Sequence, residues 1–234
     1  MTSVPTSSGR PWPRRTGVQS RLMPAQGPEV RHPLFARVCA VMSRNEPAEV
    51  RDHRRELLSG LSGRVLELGA GAGANFGFYP ADVSEVVAVE PEPYLRGKAV
   101  EAAASAPVRV SVVDGTADRL PADDASVDAA IACLVLCSVA DQSGALAELH
   151  RVLRPGAELR FYEHVLSHKP RVAHSQRVVD RLFWPRAFGG CHTARDTPAA
   201  IADAGFAIER QRRMGVGPRF NPAATHVLGA ARRA

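Results

Sequence analysis

Short apolar runs alternate along most of this chain with longer amphipathic stretches. Five runs are strand-like in their length and apolar content, namely 64–68, 85–89, 108–113, 127–133 and 157–162. The stretches between them carry apolar residues at the spacing of helices, near 74–79, 92–104, 141–153 and 172–184. An alternating series of this kind predicts a parallel sheet that is covered by helices on both faces.

The pattern changes at both ends of this series. Two late apolar runs, 206–211 and 225–230, are separated by a loop, which indicates an antiparallel hairpin at the end of the sheet. Before the first strand, a helix is predicted over 33–44 and a shorter one over 47–59. The first of them carries an apolar stripe formed by Leu34, Phe35, Val38, Val41 and Met42. We therefore predict an α/β fold with a doubly wound, seven-stranded sheet, mostly parallel, that ends in a C-terminal antiparallel hairpin.

The first 31 residues have a different composition. They hold five arginines against one glutamate, a net charge of +4, which leaves +2 of the total +6 for the rest of the chain. Their many prolines stand among Ser, Thr and Gly, so the segment lacks the apolar residues that a core needs. We predict a disordered basic tail over 1–31, a helical lid over 32–62 that folds over the carboxyl edge of the sheet, and one ligand-binding domain over 63–234.

Composition and charge also narrow the function classes. The excess positive charge lies in the tail without interleaved aromatic residues, which does not indicate nucleic-acid binding. No apolar run has the length of a membrane span, and no cleavable signal pattern opens the chain. Four cysteines in 234 residues do not form a disulfide framework. A cytoplasmic protein is expected.

A glycine-rich turn follows the first predicted strand. It runs from Glu67 through Gly69, Gly71 and Gly73 to Asn75. Glycines at these positions let the backbone approach a ligand closely, because no Cβ stands in the way. The same spacing also satisfies the dinucleotide fingerprint G-x-G-x-x-A, and a tight turn without a ligand is a third interpretation.

Acidic residues end the next two predicted strands. Glu90 is suited to two ribose hydroxyls, a role that fits NAD equally well. Asp114, which Gly115 follows, is suited to an adenine amino group, with an ordinary turn as the alternative interpretation. The late hairpin fits an all-parallel dehydrogenase sheet poorly, which favours a cofactor other than NAD.

Taken together, the glycine turn, the two acids and the Arg-Pro-Gly turn at 154–156 resemble class I, Rossmann-like methyltransferases that use S-adenosylmethionine. The resemblance spans about residues 63–165. It implies S-adenosylmethionine as the cofactor and S-adenosylhomocysteine as the product. The binding residues that it implies are Glu67, Gly69, Gly71, Gly73, Asn75, Glu90, Asp114, Gly115, Thr116 and Leu134.

A closer resemblance is to the methyltransferase-like subfamily of small-thiol S-methyltransferases. It rests on G-A-N-F at 73–76 with Y-P at 79–80, L-V-L-C-S-V at 134–139, L-R-P-G at 153–156, Y-E-H-V at 162–165 and G-C-x-x-x-R-D-T at 190–197. It implies a small-molecule acceptor, most simply a thiol, with Leu134 and Val135 facing the sulfonium. Mammalian members begin with a hydrophobic membrane anchor, whereas this chain begins with a polar basic segment, so membrane attachment is not expected.

The resemblance also directs attention to groups that activate a thiol. Only a few per cent of an ordinary thiol is thiolate near pH 7, so a nearby cation or base would help. The candidates at the expected catalytic rim are His164, His192 and Arg195. Asp196 is interpreted as the cap of the helix that begins at Thr197, with orientation of a histidine as the alternative.

Cysteines and a histidine raise the question of zinc. The residues concerned are Cys133, Cys137, Cys191 and His192. The first two lie in an apolar run, where cysteine is usually a small core residue, so no metal site is predicted.

Three alternative functions remain open. The first is an O- or N-methyltransferase that acts on a small natural product or metabolite. The second is an NAD(P)-dependent oxidoreductase, which the late hairpin disfavours. The third is a non-catalytic protein that binds the cofactor as a partner of an enzyme, which the intact glycine turn does not support.

Overall fold

The computed structural model describes residues 33–218 and 220–234, so the basic tail predicted over 1–31 lies outside the described residues. Seven strands form one sheet in the order β3-β2-β1-β4-β5-β7-β6. The strands are β1 (Gly63–Leu68), β2 (Val83–Val89), β3 (Val110–Val113), β4 (Val127–Cys133), β5 (Leu153–His164), β6 (Phe206–Gly215) and β7 (Thr225–Arg233).

The strand directions confirm the predicted α/β architecture. Parallel pairing joins β1 to β2 and β4, β2 to β3, and β4 to β5. The last strand, β7, runs antiparallel to both β5 and β6. The chain order reverses between β1 and β4, and ligands of open α/β sheets bind at the carboxyl ends of the strands at such a reversal.

The described residues form seven α-helices: α1 (Pro33–Arg44), α2 (Ala48–Leu58), α3 (Pro93–Ala103), α4 (Gln142–Val152), α5 (Pro170–Leu182), α6 (Trp184–Ala187) and α7 (Thr197–Asp203). The helix predicted near 74–79 is wrong, because only a 3₁₀ turn, Phe76–Phe78, forms there. Gly73 precedes it with a left-handed φ, and Gly77 weakens any helix through it. None of the described helices is long and apolar enough to cross a membrane.

Each face of the sheet has its own buried core. One core contains side chains of α4 and α7, and the other contains side chains of α2 and α3. Neighbouring residues of a strand point to opposite faces, so Phe161 of β5 lies in the first core and Tyr162 in the second. Both aromatic side chains are fully buried, and β5 therefore anchors the two layers to each other.

Helix α1 lies between α3 and the segment that follows α6. The guanidinium of Arg37 stands 6.0 Å from the ring centre of Tyr94, and Phe35 fills the space that a Cβ on Gly189 would need. The apolar stripe of α1 is largely exposed: Leu34, Val38, Val41 and Met42 face outward, whereas Ala36 and Ala40 are buried. Small alanines let the helix approach its neighbours closely. A lid function for α1 and α2 stays a prediction.

Candidate active site

The glycine turn after β1 follows a backbone course that favours glycine. Gly69, Gly71 and Gly73 have φ angles of +65°, +56° and +82°. A Cβ on Gly69 would overlap the side chain of Val135, and one on Gly73 would lie 2.8 Å from Ala102 Cβ. Nothing lies within 4 Å of the place that a Cβ on Gly71 would occupy. The middle glycine therefore borders open space at the carboxyl edge, where a ligand fits.

Glu90 lies beside this turn, at the end of the neighbouring strand. Its Oε2 accepts the N–H of Gly71 at 2.8 Å, and its Oε1 accepts the N–H of Glu92 at 2.9 Å. Burial raises the pKa of Glu90, and these two hydrogen bonds oppose the rise. A carboxylate has more lone pairs than these bonds use, so Glu90 can also accept hydroxyl groups of a ligand.

Glu67 lies beneath the turn and supports it from below. Its buried carboxylate accepts hydrogen bonds from Asn75 Nδ2 at 2.8 Å and from the Tyr79 hydroxyl at 2.7 Å. Burial raises the pKa of Glu67, and both hydrogen bonds oppose the rise. Glu67 and Asn75 are themselves buried, so these two predicted site residues fix the shape of the turn.

Arg54 of α2 extends this buried network. Its Nη1 donates to Asn75 Oδ1 at 2.8 Å and contacts Cys133 Sγ at 3.0 Å. Its Nε donates to Glu46 Oε2 at 2.8 Å, and the Arg54 side chain is only 8% exposed. One arginine therefore fastens α2 to the glycine turn and to the end of β4.

The residues expected to frame an adenine lie one strand further out. Asp114 is exposed, and its carboxylate stands 3.2 Å from Arg96 Nη1. A Cβ on Gly115 would lie 3.1 Å from Val89 Cγ1, so a larger residue would crowd β2. Thr116 pairs with Arg119 in an isolated bridge. These residues share the carboxyl edge with Glu90, and the Asp114 carboxylate is accessible to a ligand.

The loop after β4 is held by β5. Leu134 has a φ of +57°, unusual for a residue with a side chain, and its N–H donates to the Tyr162 carbonyl at 2.7 Å. The fully buried carboxylate of Glu163 accepts the next three N–H groups at 3.1, 2.9 and 3.1 Å, those of Val135, Leu136 and Cys137. This loop contacts the glycine turn through Val135, so Glu163 fixes one wall of the site.

Two thiols and an imidazole meet beside this loop. The sulfurs of Cys137 and Cys191 are 3.9 Å apart, and His164 Nδ1 lies 3.5 Å from the first and 3.4 Å from the second. The contact between the thiols lowers the pKa of Cys191, as does His164, and it raises the pKa of Cys137. Of the two thiols, Cys191 is therefore the one that more readily carries a negative charge. We call these three side chains the Cys–His cluster.

The other predicted catalytic residues surround this cluster. His192 is partly exposed, and its Nδ1 stands 3.3 Å from Asp180 Oδ2. Arg195 Nη1 donates to the Leu136 carbonyl at 2.6 Å. Asp196 occupies the N-cap position of α7, as predicted, but its side chain makes no capping hydrogen bond and instead lies 3.3 Å from Arg213 Nη2. An arginine within reach competes for its carboxylate.

Helix α1 carries a third thiol within electrostatic reach of both Glu90 and the Cys–His cluster. Burial raises the pKa of Cys39 in α1 to about 11, and the charges of Glu90 and Cys191 add to the rise. A negative charge on either of these groups therefore opposes ionisation of Cys39.

Sequence reasoning missed two residues that hold the site together. Arg54 stands in a helix of mixed charge, and nothing in its sequence context separates it from its exposed neighbours. Glu163 carried a signal, since it is an acid at the end of an apolar strand next to a candidate catalytic histidine. The apolar run around Cys137 predicts a core residue, and its partners Cys191 and His164 are too distant in sequence for spacing to pair them.

Comparison with known proteins adds independent evidence. The family described as methyltransferase domain matches residues 66–161. Human thiol S-methyltransferase TMT1B is 32% identical over 208 residues, which cover 84% of this chain and 85% of that protein. The mouse protein of the same name is 36% identical with the same coverage. Human thiol S-methyltransferase TMT1A is 35% identical over 65% of this chain and 67% of its own length.

Solved structures share the fold. Geranyl diphosphate methyltransferase in complex with S-adenosylmethionine gives a TM-score of 0.64 at 16% identity, over 89% of this chain and 93% of that one. The [4+2]-cyclase SpnF gives a TM-score of 0.61 at 19% identity, over 79% and 80%. At these identities the likeness concerns the fold alone.

Proposed function

The chain belongs to the S-adenosylmethionine-dependent methyltransferases, in the family of the thiol S-methyltransferases TMT1A and TMT1B, and from this premise we propose that it methylates the sulfur of a small thiol. S-adenosylmethionine is the methyl donor, and S-adenosylhomocysteine is the product. The observation that carries the proposed acceptor is the similarity to TMT1B along 84% of this chain, which includes the loop after β4 and the segment around Cys191.

The glycine turn and the acids fit the donor. Gly71 borders open space, the Glu90 carboxylate has lone pairs for the ribose hydroxyls, and the exposed Asp114 carboxylate suits the adenine amino group. We propose that these residues hold S-adenosylmethionine, with Gly115 and Thr116 beside the adenine. Leu134 and Val135 then face the methyl group from the end of β4.

The chemistry asks mainly for positioning. The bound cofactor supplies a methyl group that its sulfonium already activates. The chain has to hold the acceptor in line with the bond that breaks and to exclude water, and such positioning alone accounts for a large part of a rate enhancement. Arg195 lies within electrostatic reach of Cys137 and Cys191 and is partly buried, so it favours negative charge on a sulfur in this region.

Matched acceptors test the proposal. The purified chain is supplied with S-adenosylmethionine and with pairs of small molecules that differ only in the acceptor atom, such as thiophenol, phenol and aniline. Release of S-adenosylhomocysteine is expected with the thiol alone, and calorimetry is expected to detect binding of S-adenosylhomocysteine but not of NAD. Turnover of the phenol or the amine without the thiol refutes the sulfur acceptor, whereas binding of NAD alone refutes the cofactor.

Glu90 gives a pH-dependent prediction. Its ionised carboxylate accepts the ribose hydroxyls, and burial raises its pKa above the usual value. Affinity for S-adenosylhomocysteine should therefore fall as the pH drops through this raised pKa. The fall should begin at a higher pH than it would for a glutamate with the usual pKa. Glu90→Gln should weaken binding by about 1–3 kcal/mol at neutral pH. The affinity of this variant, measured by calorimetry, should no longer depend on pH in this range. Glu101→Gln, on the exposed face of α3, is the control and should change neither. An unchanged profile in Glu90→Gln means that Glu90 does not bind the ribose.

A further inference from the structure

The Cys–His cluster brings three possible metal ligands together from separate parts of the chain. Cys137 follows β4, His164 ends β5 and Cys191 follows α6, so three separate segments converge on one point. Both thiols are buried and the imidazole is half-buried. The three ligand atoms form a triangle with sides of 3.9, 3.5 and 3.4 Å.

These separations are those of a zinc site. Zinc binds thiolate sulfur at about 2.3 Å and imidazole nitrogen at about 2.0–2.1 Å, so tetrahedral angles place two sulfurs about 3.8 Å apart and a sulfur about 3.5 Å from a nitrogen. One ion can therefore contact all three atoms with little rearrangement. Thiolate and imidazole are also the donors that zinc prefers over magnesium or calcium.

The backbone that carries the ligands is held rigidly. Glu163 accepts the N–H of Cys137, and the N–H of His192 donates to the Cys137 carbonyl at 2.7 Å. Gly190 has a φ of +85°, and a Cβ there would lie 2.8 Å from the Ser138 carbonyl oxygen. Glycine at 190 therefore allows the segment with Cys191 to approach the loop after β4.

The number of ligands leaves one position open. Within the part of the chain that the structure describes, three side chains make up the group. Three protein ligands with a fourth position for water or substrate are typical of catalytic zinc, whereas structural zinc has four. The cluster also lies near the glycine turn, where we place S-adenosylmethionine, because Val135, two residues before Cys137, packs against Gly69.

The geometry points to a Zn²⁺ site formed by Cys137, His164 and Cys191, with the acceptor thiol of the proposed function, on which this inference rests, as the fourth ligand. The acceptor binds as a thiolate and releases one proton to solvent. A lone pair of its sulfur forms the bond to the methyl carbon while the bond from that carbon to the sulfonium breaks. The electron pair of the broken bond stays on the sulfur of S-adenosylhomocysteine. The neutral thioether, a weaker ligand than the thiolate, leaves the ion.

Metal binding tests the site without any turnover. The full chain, reduced and stripped with a chelator, is titrated with Zn²⁺ and with Co²⁺. One ion per chain is expected, and the Co²⁺ form should show tetrahedral d–d absorption and a thiolate charge-transfer band. Cys137→Ser, His164→Ala and Cys191→Ser should each weaken binding at least about a hundredfold, whereas Cys39→Ser, a nearby cysteine outside the cluster, should not. Circular dichroism of each variant checks that it folds.

A second arm tests the fourth ligand. Thiophenol should change the Co²⁺ spectrum and phenol should not. The zinc site is refuted if folded, reduced protein binds no ion, or if the Cys137→Ser/Cys191→Ser variant binds as the parent does. Thiol methylation that persists after complete metal removal refutes the inference and leaves the proposed function intact. Stoichiometric metal with a spectrum that no thiol alters keeps the metal site and refutes the thiol ligand.

Discussion

Replacing Glu163 with alanine is expected to lower the free energy of unfolding by about 3 kcal/mol or more. The carboxylate is fully buried and accepts three N–H groups of the loop after β4. Each buried donor that loses its partner costs about 1–3 kcal/mol. The variant should therefore unfold at a much lower urea concentration than the parent. Glu163→Gln keeps one acceptor oxygen and the shape, so its loss should be intermediate.

An exposed glutamate of β6 provides the control. Glu209 lies on the surface, and its carboxylate pairs with the partly exposed Arg232. Ion pairs exposed to solvent contribute little, so Glu209→Ala should leave the urea midpoint nearly unchanged. If Glu163→Ala is no more destabilised than Glu209→Ala, the loop after β4 does not depend on Glu163.

Replacing Gly71 with valine is expected to abolish binding of S-adenosylhomocysteine, with a loss of at least about a hundredfold, or about 2.7 kcal/mol. The Cβ of residue 71 points into open space beside Glu90, where we place the cofactor. A branched side chain would occupy that space. Isothermal titration calorimetry measures the loss directly.

The positive φ of Gly71 adds strain that has to be separated from this steric effect. Gly60 has a φ of +72°, and nothing lies within 4 Å of the Cβ that it would carry. It precedes the amino end of β1, whereas Gly71 follows the carboxyl end. Gly60→Val should therefore bear a similar backbone strain and bind S-adenosylhomocysteine normally. If Gly71→Val binds S-adenosylhomocysteine with the affinity of the parent, the cofactor does not bind at the glycine turn.

The order of elements could be predicted because the apolar periodicity changes at each boundary. The apolar run at 127–133 predicts the fourth strand with the bounds that the structure shows, Val127–Cys133, and two runs separated by a loop predict the late hairpin. The glycines and Glu90 were identifiable because a close backbone approach and an acid at a strand end have local sequence signals. In contrast, α1 carries a clear apolar stripe, yet the structure buries its alanines, because packing partners rather than periodicity decide which face is covered.

Features that depend on distant segments could not be predicted. The Cys–His cluster combines residues 137, 164 and 191, which share no spacing rule and meet only because β4 and β5 are neighbours. Arg54 reaches Asn75 across 21 positions of the chain, and its role depends on a buried acceptor that the sequence does not reveal. Long-range contacts of this kind follow from the topology, and the topology has to be known first.

The central claim is that this chain moves a methyl group from S-adenosylmethionine to sulfur. The most direct measurement supplies S-adenosylmethionine with a ¹³C-labelled methyl group, together with 2-mercaptoethanol or with ethylene glycol, and follows the labelled carbon by NMR. We predict that the label appears as an S-methyl thioether with the thiol, in step with S-adenosylhomocysteine, and stays on the donor with the diol. Label on an oxygen or nitrogen, or no transfer to thiols of any size, would contradict the account.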